Sequence, residues 1–192
     1  MTLKLFNTLS KEMDEFKPVR KDAVRMYNCG PTVYNYVHIG NLRSYVFADV
    51  LRRYLEYTGY IVKQVVNITD VGHLTSDADE GEDKMLVAAK KEKKDPWEIS
   101  KYYADKYFDD LDKLNIQKAL CYPKATDHVK EMIEVIKELE KRGYAYAAGG
   151  NVYFDTSKFE EYGKLSKFNI QELEAGKRVS EDKNKRNFSD FV

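Results

Sequence analysis

The chain has 192 residues, which is enough for one domain with a hydrophobic core and a smaller second domain. Its 43% of hydrophobic and 33% of charged residues are ordinary for a soluble globular protein, so composition alone indicates no special class. The 32 basic and 32 acidic residues cancel, so the net charge does not indicate binding to nucleic acid or to an anionic membrane.

The amino-terminal half predicts the opening unit of a parallel α/β sheet. Residues 24–29 alternate as in a strand, and Gly30-Pro31 ends it. A helix begins near Gly40 and stops at Gly59. Residues 60–68, rich in β-branched side chains, predict the second strand. We expect the helix to bury one apolar face, which comprises Val46, Phe47, Val50, Leu51, Tyr54 and Leu55 and lies opposite Asp49, Arg52, Arg53 and Glu56.

The middle of the chain predicts a loop followed by helices. Residues 69–83 are acidic and loop-like, and helical patterns cover residues 84–94 and 96–114, where Pro96 suits a first turn. A further helix over residues 126–142 begins at a cap, Thr126 or Asp127. Its apolar residues have the spacing of a core-facing stripe: Val129, Met132, Ile133, Ile136 and Leu139.

The end of the chain predicts a β-hairpin around Gly149-Gly150, formed by residues 144–147 and 151–155. A short helix can form near Gln171, and we expect the mostly polar residues from Glu181 onward to be mobile. A change of character near residue 116 divides the chain into domains of residues 1–115 and 116–192.

The turn between the first strand and the long helix carries the chemistry. In open α/β sheets ligands bind at the carboxyl ends of strands, and a helix that begins there offers free N–H groups and a positive dipole end to an anion such as a triphosphate. His38 can donate a hydrogen bond to a phosphate oxygen, and Gly40 lets a nucleotide approach the backbone. Asn41 can donate from its amide but carries no charge.

A family resemblance follows from this turn and its flanks. His38-Ile39-Gly40-Asn41 resembles the His-Ile-Gly-His motif of class I aminoacyl-tRNA synthetases, with Asn in place of the second histidine. The flanking segments resemble cysteinyl-tRNA synthetases in order along essentially the whole chain. They are Leu5-Phe6-Asn7-Thr8-Leu9, the residues from Met26 to Tyr34, Asn67-Ile68-Thr69-Asp70, Pro123-Lys124-Ala125-Thr126, Tyr162-Gly163-Lys164-Leu165-Ser166, Ala175-Gly176-Lys177-Arg178-Val179, and the residues from Lys185 to Phe191.

The resemblance implies a fold and an activity. The fold would be the first half of a class I Rossmann-like nucleotide-binding domain over residues 1–115, with part of an inserted α+β domain over residues 116–192. The activity would be ATP-dependent activation of cysteine, with Mg, and its transfer to tRNA-Cys. The implied ATP contacts are Gly30, Thr32, His38, Gly40 and Asn41, of which His38 and Asn41 are catalytic. The implied substrate contacts are Thr32, Tyr34, Thr69 and Asp70, with Asp70 on the ammonium group.

The resemblance also makes Cys29 a zinc ligand. In the family this Cys shares the zinc with another Cys, a His and a Glu, and the metal binds the substrate thiolate and so distinguishes cysteine from serine. The other three ligands, the Lys-Met-Ser-Lys-Ser loop and the anticodon-recognising domain would follow Val192. We therefore expect these 192 residues to be inactive alone, and to be a monomer.

Other hypotheses stay open for the same residues. Cys29 can be a small buried residue at a strand end, His38 a turn histidine, and Thr69 and Asp70 a capping loop, while Thr32 and Tyr34 can pack against the helix. The chain can instead belong to a ligase that joins cysteine to a small amine, or it can be a non-catalytic nucleotide-binding remnant.

Further charged segments favour structural roles. The acidic run at residues 77–83 after His73 fails the spacing of a calcium loop, so a solvated loop is favoured. The lysines at residues 90–94 suit a solvated helix end more than a tRNA contact, and His128 suits a structural role. Cys29 and Cys121 could pair, but a Lys-rich chain without an export signal or an apolar span of about 20 residues indicates a cytoplasmic protein that does not enter a membrane.

Overall fold

A computed structural model describes residues 2–71, 95–167 and 182–192 of the chain. The chain divides into two compact units, one of residues 18–129 and one of residues 1–17 with 130–192. Within the described residues, no helix is both long enough and apolar enough to cross a membrane. Both cysteines are free and exposed, so the disulfide considered from the sequence does not form.

The first unit is built on two parallel strands joined by a helix. Strands β3 (Val24–Asn28) and β4 (Val62–Val66) pair in parallel, with Val24 opposite Val62 and Asn28 opposite Val66. Helix α1 (Ile39–Tyr57) connects them, and Gly59, with a φ of 95°, lies just beyond its end. This unit confirms the α/β class and the predicted strand-helix-strand order.

The buried face of α1 is not the predicted one. Leu55 is buried as expected, but Phe47 is 69% exposed and Val50 is 59% exposed, while Asp49 is buried. The polar side packs inward because it satisfies the backbone of the segment after the next helix. Asp49 accepts the N–H of Gln117 at 2.9 Å, and the guanidinium groups on this side of α1 donate to backbone carbonyls: Arg52 to Lys118 at 2.8 Å and Arg53 to Asn115 at 2.6 Å.

Helix α2 (Pro96–Lys113) contributes most of the core of this unit. Asp95 caps it by accepting the N–H of Trp97, and Pro96 stands in the first turn as predicted. The core also takes in residues that follow the two strands. Its buried members are Val33, Ile68, Ile99, Tyr103, Ala104, Tyr107 and Leu111. Through Val33 and Ile68, the segments that follow β3 and β4 are therefore held in place by apolar packing against α2.

The second unit begins with a hairpin that the sequence did not reveal. Strands β1 (Lys4–Asn7) and β2 (Glu12–Glu15) pair antiparallel. Their turn contains Lys11 at a φ of 64°, a conformation usually given to glycine, so the residues carry no turn signal.

Helix α3 (Val129–Lys141) follows a 3-10 turn at Ala125–His128. The prediction that Thr126 or Asp127 caps this helix is wrong, because the 3-10 turn intervenes and Thr126 instead binds Asp70. The predicted core stripe is also wrong, since none of the residues of α3 is buried; Ile133, for example, is 46% exposed.

The end of the chain is anchored, which contradicts the expected mobility of residues 182–192. Strands β5 (Ala145–Ala148) and β6 (Asn151–Phe154) form the predicted hairpin over Gly149 and Gly150, both at positive φ. Asp190 is 1% exposed and accepts hydrogen bonds from the Tyr146 hydroxyl at 2.8 Å and from the Thr156 N–H at 3.0 Å. A buried carboxylate with several donors fixes its segment, although the residues around it are mostly polar.

Candidate functional site

The segments that follow β3 and β4 lie side by side. The N–H of Thr69 donates to the carbonyl of Pro31 at 3.0 Å, and the N–H of Val33 donates to the carbonyl of Thr69 at 3.1 Å. Thr32 and Thr69 thereby form a parallel bridge that extends the strand pairing. The structure therefore brings together Gly30, Thr32 and Thr69, at the sheet edge where open α/β folds bind ligands.

His38 caps the start of α1. Its Nδ1 accepts the N–H of Gly40 at 3.0 Å, and its own N–H donates to Oδ1 of Asn41 at 3.2 Å, so the two side chains form a reciprocal capping box. Because Nδ1 accepts, the neutral imidazole carries its proton on Nε2. The side chain of His38 is thus oriented by the helix and keeps a donor on its outer nitrogen.

Gly40 is required by this cap. A Cβ on Gly40 would lie 2.8 Å from Cε1 and 3.0 Å from Nδ1 of His38, closer than atoms in ordinary contact. The space beside Gly40 is therefore taken by the imidazole. This explains the glycine through the cap, whereas the sequence suggested the approach of a nucleotide.

At Gly30, too, a neighbouring group leaves no room for a side chain; here it is the backbone carbonyl of Asn67. A Cβ on Gly30 would lie 1.7 Å from the carbonyl oxygen of Asn67, so no larger residue fits without moving the backbone. The N–H of Gly30 also donates to Oδ1 of Asn67 at 2.9 Å. Asn67 appeared in the sequence only as part of a matching segment, and its contacts were not foreseen.

Two other predicted substrate residues have structural partners. Tyr34 is half-buried and packs against the core of the first unit. Asp70 is 8% exposed, and its two carboxylate oxygens accept the N–H of Thr126 at 3.0 Å and the hydroxyl of Thr126 at 2.7 Å. The contacts that the structure gives Asp70 are therefore those of a residue that joins two loops.

Cys29 is exposed, so the hypothesis of a small buried residue is wrong. Burial raises the pKa of Tyr45 to about 12, and the negative charge that Cys29 carries as a thiolate adds to the effect. In the described parts of the chain, no cluster of three or more His, Cys, Asp or Glu side chains could hold a metal ion, so these residues do not fit a zinc site by themselves.

Some sequence predictions lie outside the described residues. They are the helix over residues 84–94, the acidic run after His73, the lysines at residues 90–94, the short helix near Gln171 and the matching segment at residues 175–179.

Comparisons with known proteins agree with the resemblance drawn from the turn. The family model of the tRNA synthetases class I (C) catalytic domain matches residues 15–192. A cysteine–tRNA ligase of Treponema denticola is 51% identical over 192 residues, which cover 100% of this chain and 39% of the relative. Those of Clostridioides difficile and Pyrococcus horikoshii are 48% and 42% identical, over 99% and 100% of this chain and 39% and 38% of their own lengths. The chain thus spans about two-fifths of the length of the curated relatives it matches.

Proposed function

Because this chain belongs to the class I (C) tRNA synthetases through their catalytic domain, we propose that it is the amino-terminal part of a cysteine–tRNA ligase. The complete enzyme joins the carboxylate of cysteine to the α-phosphorus of ATP, and pyrophosphate leaves. A hydroxyl of tRNA-Cys then attacks the acyl carbon of the adenylate, and AMP leaves. The names of the relatives favour tRNA over a small amine as the acceptor.

The observation that carries this proposal is the orientation of His38 at the start of α1. With Nδ1 held by the Gly40 N–H, the imidazole presents its Nε2–H, and the helix adds the positive end of its dipole. Asn41 turns Oδ1 back to the His38 backbone and keeps its NH₂ group as a donor. Donors fixed before the reaction stabilise charge that develops on phosphate oxygens without having to reorganise.

The remaining roles follow from the strand ends. Gly30 and Thr32 would line the phosphates together with His38, Gly40 and Asn41, while Thr32, Tyr34 and Thr69 would face the amino acid. Asp70 would accept from the ammonium group of the amino acid, because each of its oxygens takes one hydrogen bond from Thr126 and keeps a lone pair for a further donor. We assign residues 1–115 to the first half of a Rossmann-like domain and residues 116–192 to part of an inserted domain. The protein would be cytoplasmic and monomeric.

Zinc would involve Cys29 as a single ligand. One exposed thiol does not bind zinc tightly, since protein zinc sites use three or four ligands. Metal analysis of the purified 192 residues should find less than stoichiometric zinc, and one zinc per chain would show that further ligands lie among them.

Titration with ATP and Mg²⁺ tests the phosphate site directly. In ¹H–¹⁵N spectra the amides of Gly40 and Asn41, at the helix start, should shift in a saturable way, and the shifts should vanish in His38→Ala. Asn151→Ala, which removes a single bond to Tyr153 in the other unit, is the matched control and should leave the titration unchanged. Shifts spread evenly over the chain, or shifts that survive His38→Ala, would contradict the proposed site.

A further inference from the structure

Asn67 joins three residues at the ends of β3 and β4. Its Oδ1 accepts the hydroxyl of Tyr27 and the N–H of Gly30, both at 2.9 Å. Its Nδ2 donates to Oγ1 of Thr69 at 3.1 Å. A single half-buried amide therefore ties the turn after Cys29 to the loop after β4.

The side chain at this position must accept two hydrogen bonds and donate one, and an amide of this length does both. The two bonds to Oδ1 need an acceptor with two lone pairs, and the bond to Thr69 needs a donor two bonds away. The carbonyl of Asn67 also lies where a Cβ of Gly30 would stand, so the backbone of the turn is pressed against this residue. The side chain and the backbone of Asn67 thus act on the same turn.

The direction of the bond to Thr69 has a consequence. Because Asn67 donates to Oγ1, it occupies a lone pair of that oxygen, and the Thr69 hydroxyl keeps its own proton to donate elsewhere. In the proposed function, Thr69 faces the aminoacyl group. An aminoacyl or phosphoryl oxygen of that ligand would be a suitable acceptor for this proton.

We propose that Asn67 is a positioning residue for the aminoacyl half of the adenylate. It sets the Cys29-Gly30 turn against Thr69 and orients the Thr69 hydroxyl as a donor. This inference rests on the proposed function, and it adds that recognition of the cysteinyl group, more than of ATP, depends on Asn67.

The test uses the full 192-residue chain and three variants. Asn67→Ala removes every side-chain bond, whereas Asn67→Asp keeps the acceptor for Tyr27 and Gly30 but lets the Thr69 hydroxyl donate to the new carboxylate. Gln117→Ala is the control, because it removes one side-chain bond, to Glu56, elsewhere in the same unit. Two properties are measured: hydrogen exchange of the Gly30 amide, and the affinities for ATP with Mg²⁺ and for 5′-O-[N-(cysteinyl)sulfamoyl]adenosine, a stable mimic of the adenylate.

Asn67→Ala should speed hydrogen exchange of the Gly30 amide about tenfold, which is the effect of one lost hydrogen bond. It should also weaken binding of the mimic about tenfold more than it weakens binding of ATP. Asn67→Asp should leave the Gly30 amide protected from exchange and still weaken binding of the mimic more than binding of ATP. If Asn67→Ala does not fold, the result with Asn67→Asp tests the proposal alone. Gln117→Ala should change neither property.

Unchanged Gly30 exchange in Asn67→Ala would overturn the proposal, as would an equal loss of both ligands in either variant, which general destabilisation would produce. If the unmodified chain bound neither ligand, the phosphate site proposed around His38 would fail for the isolated chain. The exchange of Gly30 would then decide the positioning claim alone.

Discussion

Replacing Gly40 by alanine should displace the His38 imidazole from the start of α1 while leaving the stability of the fold nearly unchanged. The new Cβ would lie 2.8 Å from Cε1 of His38, so the ring must rotate away and the bond from the Gly40 N–H to Nδ1 is lost. The variant thereby separates the orientation of His38 from the presence of its side chain.

Two effects of similar size oppose each other in this variant. Loss of an N-cap costs about 1 kcal/mol. Alanine is better than glycine in a helix by up to about 1 kcal/mol, somewhat less in the first turn. The free energy of unfolding of Gly40→Ala should therefore lie within about 0.5 kcal/mol of the unmodified chain. His38→Ala loses the cap without this compensation and should be destabilised by about 1 kcal/mol.

Urea unfolding followed by circular dichroism measures these differences, and long-range ¹H–¹⁵N spectra of the imidazole report whether Nδ1 still accepts. Gly40→Ala should lose the signature of the Nε2–H tautomer held by the cap and should bind ATP as weakly as His38→Ala. If Gly40→Ala keeps that signature, or loses more than about 2 kcal/mol, the imidazole does not occupy the space beside Gly40 as described.

Four further substitutions test the packing. Burial raises the pKa of Asp190, but hydrogen bonds from Tyr146, Thr156 and Asn187 outweigh it and hold that pKa below its usual value. Its stabilisation is therefore present above the unfolded pKa of about 3.9 and is lost as the pH falls through the folded value. Asp190→Asn leaves donors unsatisfied, so it should lower the free energy of unfolding by about 3 kcal/mol at neutral pH. The urea midpoint of this variant should also fall less steeply with decreasing pH than that of the unmodified chain. An equally steep fall would refute this explanation. Leu55→Ala should cost about 3 kcal/mol and Phe47→Ala less than about 1 kcal/mol in urea unfolding, and the reverse order would mean that the predicted apolar face is the buried one. Thr126→Val removes the hydroxyl bond to Asp70 and should cost about 1–3 kcal/mol in the same assay, and a neutral result would show that this bond adds no net stability.

The sequence predicted the elements of the first unit better than their packing. Periodicity shows that α1 has two faces, but which face turns inward depends on its neighbours. Here the neighbours are backbone groups between Asn115 and Lys118: their carbonyls accept hydrogen bonds from Arg52 and Arg53, and the N–H of Gln117 donates to Asp49. No local pattern carries that information, because these partners lie more than sixty residues away in the sequence.

The same reason explains the terminal segments. Residues 182–192 look mobile because they are polar, yet Asp190 is held by donors from β5 and from the turn after β6. Conversely, α3 has the spacing of a core helix and buries none of its residues. Composition reports the average environment of a segment, whereas burial follows from particular partners.

The candidate site was foreseen in its position and only partly in its contacts. The strand and helix signals correctly placed His38 at a helix start and Thr69 beyond a parallel strand. They could not show that Nδ1 of His38 is used by the cap, or that Asn67 joins Gly30 to Thr69. Both facts depend on side-chain directions, which spacing in the sequence does not fix.

The central claim, that the His38 turn is one side of a cysteine-activating site, is tested most directly by completing the chain. The 192 residues would replace the matching region of the Treponema denticola relative, to which they are 51% identical. Cysteine-dependent exchange of pyrophosphate with ATP is then measured. We expect exchange with cysteine but not with serine, and a loss of about a hundredfold or more in His38→Ala, as when one fixed donor to a charged transition state is removed. A folded chimera that exchanges no pyrophosphate, or whose exchange is unaffected by His38→Ala, would contradict the claim.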